Sequence, residues 1–173
     1  LINEKGANII DTDIHINPFT EKDEADALFG IAEGFDAVAL SFVKRKEDII
    51  YLKDFLQRHT DKVLPVIAKI ETRQALHGIE GILEVVDMIM VARGDLGIEL
   101  PIEKIPLVQK ELIYLAKKQG VPAIVATEML KSMTKNSFPT RAEITDCIDS
   151  LIDGASYIML SDETTTGQYP VEA

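Results

Sequence analysis

Five short apolar runs, spaced like the strands of a repeated strand–helix unit, constrain this chain more than any other feature. They are DAVALSF (36–42), VLPVIAKI (63–70), DMIMVA (87–92), VPAIVAT (121–127) and SYIMLS (156–161). Their first residues fall 27, 24, 34 and 35 positions apart, the period of successive βα units. Apolar residues stand at nearly consecutive positions in each run. That predicts strands buried on both faces, as in a parallel sheet covered by helices. The intervening segments carry helical stripes: Leu28, Ile31 and Ala32; then Ile49, Ile50, Leu52, Phe55 and Leu56; then Ile105, Val108, Leu112, Ile113, Leu115 and Ala116. Thr20 and Thr140 read as N-caps, the latter with Glu143 completing a capping box. Gly34, Gly120 and Gly154 are placed to end helices and release the chain toward the next strand. Residues 1–18 read as an irregular or extended lead-in.

Unbroken βα alternation leaves two architectures, a doubly wound open sheet and a (β/α)8 barrel. No glycine-rich phosphate loop follows any run, which disfavours a dinucleotide fold. Polar residues gather instead at the C-terminal ends of several different strands, the habit of a barrel. Five strands, however, are five-eighths of one.

Charge narrows the partners. The chain has 173 residues with 18 Lys+Arg against 29 Asp+Glu, a formal net charge of −11. A nucleic-acid backbone or an anionic membrane needs a clustered positive face, so neither is expected as a partner. Apolar residues at 46% are enough for a packed core. The single cysteine, Cys147, cannot form an internal disulfide, which fits a cytoplasmic protein. No apolar run approaches the ~20 residues of a membrane span, and the sequence LINEKGANII lacks a secretory pattern. A soluble, cytoplasmic domain is the expectation.

The residues that can carry chemistry lie just at the ends of the runs. Lys69 and Glu71 stand two apart at the end of VIAKIE, so their side chains share a face. A cation and a carboxylate there suit an electrophile and a metal ligand, or equally a structural ion pair closing a strand. The next run ends in Arg93-Gly94-Asp95. Asp95 can join Glu71 in holding one hard divalent ion, or can cap a turn. Gly94 would let a backbone N–H approach an anionic ligand without a Cβ in the way. Glu99 reads as a solvated acid at a helix start. Thr127 closes the fourth run, where its hydroxyl can face the same cleft, although strand-end threonines are common. Met129 and Met133 read as packing. Ser161, Asp162 and Glu163 can reach a ligand or solvate a loop. His15, His59 and His77 have no metal-spaced partner.

Several longer motifs carry a resemblance. VIAKIET, IMVARGDLGIELP, VQKELI, PAIVATEMLKSM, PTRAEITD and IMLSDETTTGQYPVEA, together with KGAN (5–8), TEKD and ALSFVKR, are similar in content and order to the second half of the catalytic barrel of pyruvate kinases. The resemblance covers nearly the whole chain. It implies a partial (β/α)8 TIM barrel of about five consecutive βα units, strands 4–8 of the family barrel. Residues 1–18 would re-enter the barrel, and residues 19–173 would be the C-terminal part of the catalytic domain. The lid domain, the first three βα units and the C-terminal effector domain are the parts this stretch does not contain.

The implied reaction is phosphoryl transfer from phosphoenolpyruvate to ADP, giving pyruvate and ATP in glycolysis. It uses Mg2+ or Mn2+, with K+ whose ligands lie mostly outside this stretch, in an enzyme expected to be a homo-oligomer. By the same resemblance, Lys69 stabilises the transferring phosphoryl group, and Glu71 and Asp95 bind the divalent ion. Arg93, Gly94 and Asp95 receive substrate, and Thr127 contacts it near the carbon that is protonated. Taken alone, 173 residues read this way are expected to be inactive. A metal-dependent pyruvate aldolase or lyase and a non-catalytic pyruvate-kinase-like domain are the alternatives. This sequence departs from the family pattern at Glu128 (usually Gln), Asp149 (usually Asn), Asp162 (usually Gly) and Thr165 (usually Ala).

Overall fold

All five apolar runs form strands, and the strands pair in parallel in chain order. The computed structural model describes residues 19–173; the expected lead-in over residues 1–18, with His15, lies outside them. The strands are β1 (Val38–Leu40), β2 (Val66–Ile70), β3 (Met88–Ala92), β4 (Ala123–Ala126) and β5 (Tyr157–Met159). Their order in the sheet is β1-β2-β3-β4-β5, with Ala68 opposite both Leu40 and Ile89, and Val125 opposite both Val91 and Ile158. A doubly wound sheet reverses its strand order at a switch point. This one never reverses, so every crossover returns on the same side, as in a barrel wall.

The helices are α1 (Glu21–Ala32), before β1; the crossovers α2 (Lys46–His59), α3 (Arg73–His77), α4 (Ile79–Val85), α5 (Arg93–Glu99), α6 (Ile105–Gln119) and α7 (Arg141–Asp153); and α8 (Asp162–Thr165), after β5. Their ends follow from local chemistry. Thr20 caps α1 in a capping box with Asp23, and Thr140 caps α7 in one with Glu143. Pro106 sits in the first turn of α6, where its missing N–H costs nothing. Gly120 (φ 71°) and Gly154 (φ 114°) end α6 and α7 in the left-handed region, where a Cβ is disfavoured.

The core is two-sided. Val66, Ala68, Ile70, Ile89, Val91, Ala123 and Val125 point outward to meet Ile49, Leu52, Ile82, Leu112 and Ile113 of the helices. On the opposite, concave face a second cluster joins Met90, Ile124 and Ala126 with Ile67, Met88 and Met159. Lys69 alternates with Ile67 and so belongs to this concave face.

Burial on both faces holds for β3 and β4, whereas β1 and β5 are half-exposed, because each has one neighbouring strand among the described residues. The run expected to start at Val63 becomes a strand only at Val66, and Val63 is 90% exposed in the loop before Pro65. Leu28, Ala32 and Ile50 point to solvent. Helix α1 instead buries the small residues Ala27 and Gly30, the latter against the Phe35 ring, while Phe19 just before the helix packs edge-on against Phe55 at 5.2 Å. Glu99 ends α5 rather than opening a helix, because that helix begins directly at Arg93.

Candidate functional site

The sheet brings its chemistry-bearing side chains together at the C-terminal ends of β1 to β4. Lys69 ends its reach between two oxygens: its Nζ lies 2.7 Å from Glu71 Oε1 and donates to Ser41 Oγ at 2.9 Å. Ser41 directly follows β1, so the lysine is fixed across two adjacent strands. The other oxygen of Glu71 accepts from the Phe42 N–H at 2.6 Å. Phe42 is in the left-handed region (φ 54°), the turn that aims its N–H at the carboxylate.

Glu71 is a buried acid under opposing influences. Burial pushes its pKa up, the Lys69 ammonium and the Phe42 N–H hold it down, and the charge of Asp95 pushes it up again. The last influence shows that the two carboxylates at the ends of consecutive strands lie close enough to repel. Asp95 sits in the first turn of α5 and is half-buried. Among the described residues its carboxylate accepts no hydrogen bond and forms no ion pair, in contrast to Glu71. Two hard oxygen donors that repel each other, one of them unpartnered, suit a divalent cation. No group of three or more His, Cys, Asp or Glu is placed to hold a metal among the described residues.

Thr127 and Gly94 form the second part of the site. The Gly94 N–H donates to Thr127 Oγ1 at 2.8 Å. An added Cβ on Gly94 would sit 3.5 Å from that oxygen, an ordinary contact, so the glycine is not required by space here. Thr127 (φ 70°) and Glu128 (φ 56°) both occupy the left-handed region. For a β-branched residue this is an outlier, at a cost of roughly 1–3 kcal/mol that the surroundings must offset. The Arg93 guanidinium is turned onto the Thr127 carbonyl, to which Nη2 and Nε donate at 2.7 and 3.2 Å, and onto Asp146 at 2.6 Å.

Met129 and Met133 are buried packing residues. Glu163 is 1% exposed and does neither of the things expected of it: it accepts the N–H groups of Leu130 and Ser161 at 3.0 and 2.8 Å, tying the loop after β4 to the one after β5. Burial alone would raise its pKa, and those N–H donors with Lys131 lower it below the ordinary value. Asp162 starts α8 without a positive φ, so this position needs no unusual backbone. It lies 3.7 Å from Lys131, which also pairs with Glu128 at 3.3 Å. Ser41, Phe42 and Asp146 belong to the site and carry no local signal, since each acts on a residue 28 to 53 positions away.

A parallel sheet wound in chain order, with crossovers on one side and its polar side chains at the carboxyl ends of the strands, is a partial α/β barrel. The family model described as pyruvate kinase, barrel domain, matches residues 1–173, and the chain belongs to that family. It is 47% identical over all 173 residues to the pyruvate kinase of Geobacillus stearothermophilus, covering 30% of that protein. It is 44% identical to the pyruvate kinase of Thermotoga maritima, covering 37%. It is 45% identical over 170 residues to that of Schizosaccharomyces pombe, covering 33%. The chain thus spans about a third of the length of these curated relatives. Among the described residues no helix is long and apolar enough to cross a membrane.

Proposed function

We propose that this chain supplies the phosphoryl-transfer half of a pyruvate kinase active site, for the reaction of phosphoenolpyruvate with ADP to give pyruvate and ATP in the cytoplasm. One observation carries the reading: Lys69, paired to a buried Glu71, stands beside an unpartnered Asp95 at the ends of consecutive strands. Family membership favours this over an aldolase or lyase.

In this reading an ADP oxygen attacks the phosphorus, the bond from phosphorus to the enol oxygen breaks, and the enolate left behind takes a proton on its methylene carbon. Lys69 is a fixed cation beside the transferring group. Such transfers spread charge over the equatorial phosphoryl oxygens, so a preorganised cation contributes more than a nucleophile would. Ser41 and Glu71 keep its ammonium from swinging into solvent. Glu71 and Asp95 would hold Mg2+ or Mn2+, whose chemistry is to disperse negative charge on substrate oxygens. K+ is proposed as the monovalent partner, held mostly by residues beyond these 173. Gly94 and Asp95 flank the position proposed for the substrate carboxylate, although the Gly94 N–H itself is taken by Thr127 Oγ1. Thr127 accepts from Gly94, which leaves its own O–H to be donated into the cleft, beside the carbon proposed to be protonated.

The test is a coupled assay of pyruvate formation from phosphoenolpyruvate and ADP by a full-length protein carrying this chain. Turnover that requires both substrates supports the reading. Binding without turnover would favour a non-catalytic member of the family.

A further inference from the structure

The resemblance to pyruvate kinases puts Arg93 among substrate-binding residues, yet its guanidinium is already spent inside the protein. Nη2 and Nε donate in a fork to the Thr127 carbonyl. Nη1 donates to Asp146 Oδ2 at 2.6 Å and to Gln109 Oε1 at 3.4 Å. Arg93 keeps only 13% of its side-chain exposure. Its anchors are themselves anchored, because the buried Gln109 donates to Ser150 Oγ at 3.0 Å, and Ser150 donates to the Asp146 carbonyl at 2.8 Å. The end of β3, the end of β4, α6 and α7 therefore meet on one side chain.

That side chain grips a residue whose backbone is strained. Thr127 has a positive φ, and a β-branched residue stays there only when its surroundings over-determine it. Here they do so from both ends. The forked Arg93 contact fixes the carbonyl, and the N–H of the very next residue, Gly94, fixes the hydroxyl. A planar fork with five donors can hold a carbonyl and a carboxylate together, which an ammonium cannot do with the same geometry.

We propose that Arg93 and Asp146 are positioning residues that hold Thr127 in its left-handed conformation, so that its hydroxyl is aimed at the reacting substrate, and that the Arg93 side chain is not itself a substrate ligand. This rests on the phosphoryl-transfer reading for its effect on turnover, though the holding of Thr127 does not depend on that reading. Asp146, on α7, reaches the site only through Arg93.

The experiment uses a full-length protein carrying this chain, with Arg93→Ala, Arg93→Lys, Asp146→Asn and Asp146→Leu, and has two independent readouts. Amide hydrogen exchange is expected to accelerate in residues 126–130 of Arg93→Ala and Asp146→Leu, with protection of β2 and β3 retained. In the assay, kcat is expected to fall roughly 10-fold or more in Arg93→Ala and Arg93→Lys, as for a displaced catalytic group. The Mg2+ requirement and the KM for phosphoenolpyruvate should stay within about twofold. Millimolar guanidinium should restore part of the kcat of Arg93→Ala and none of that of Thr127→Val. Asp146→Asn, which keeps an oxygen acceptor and the same shape, is expected to lose less than Asp146→Leu.

A rise in KM with kcat unchanged would make Arg93 a substrate ligand and overturn the proposal. So would unchanged exchange at 126–130 in both Arg93→Ala and Asp146→Leu. If Arg93→Ala loses protection throughout, Asp146→Asn and Arg93→Lys decide by the same two readouts. If the parent protein shows no turnover, the phosphoryl-transfer reading fails while the exchange result still judges the holding of Thr127.

Discussion

Lys69 and Glu71, two residues apart at the end of β2, meet at 2.7 Å, and the glutamate keeps only 1% of its side-chain exposure. The pair is asymmetric. Burial pushes the Glu71 pKa above the ordinary carboxylate value, with Lys69 and the Phe42 N–H opposing the rise, whereas Lys69 has a second partner in Ser41. Removing either member should therefore have different consequences.

Lys69→Ala is expected to lower kcat at least ~100-fold, the scale of losing one preorganised charge in a transition state. The divalent-ion requirement should move no more than a few-fold, since both carboxylates remain. Steady-state kinetics with a Mg2+ titration checks this. Unchanged kcat would return the pair to a purely structural role.

Glu71→Gln and Asp95→Asn should both raise the Mg2+ needed for half-maximal turnover, because each removes a charged oxygen. Their effects on folding should diverge. Glu71→Gln removes the buried partner of Lys69, which keeps 26% of its side-chain exposure and its bond to Ser41, and should cost about 1 kcal/mol or more. Asp95→Asn should stay within about 0.5 kcal/mol of the parent, as for a position with no protein partner to lose. Denaturant unfolding of the two variants, set beside their Mg2+ titrations, separates metal binding from stability.

The positions of the strands were legible in the sequence because burial in a parallel sheet demands consecutive apolar residues, and all five runs contain their strand. Lys69, Glu71 and Asp95 were legible as strand-end charges. What was not legible depends on distant chain. Val63 and Ile50 look like core residues until the neighbouring elements fail to cover them. Nothing near Ser41 or Asp146 in the sequence says that they face Lys69 and Arg93. Thr127 carries no glycine to announce a left-handed backbone, which is imposed by Arg93 and Gly94 from 34 and 33 residues away.

Glu163→Gln should destabilise the protein by about 2–3 kcal/mol, because one of the two buried N–H groups of Leu130 and Ser161 would then face an amide NH2 instead of an acceptor. The loops after β4 and β5 are expected to loosen together. Unfolding curves give the size of the effect, and hydrogen exchange at residues 130 and 161 gives its location.

Glu143 should make stability depend on acid pH. Burial raises its pKa, but the hydroxyl and N–H of Ser132 and those of Thr140 outweigh it and bring it from 4.5 down to about 2. A depressed folded-state pKa means that its contribution is full above pH 4.5 and is lost as the pH falls toward 2. The stability gap between the parent and Glu143→Gln should accordingly be constant from pH 5 to 7 and shrink between pH 4.5 and 2. A gap that does not change over that window would mean that the carboxylate is not held by those four donors.

The most direct test of the site is a Mg2+ titration of pyruvate formation from phosphoenolpyruvate and ADP, with full-length protein carrying this chain and its Asp95→Asn variant at equal folded concentration. The account expects turnover that is absent without a divalent ion, saturates with Mg2+ in the parent, and needs at least several-fold more Mg2+ in the variant. Identical Mg2+ curves for the two proteins, or turnover that persists after the divalent ion is removed, would contradict it.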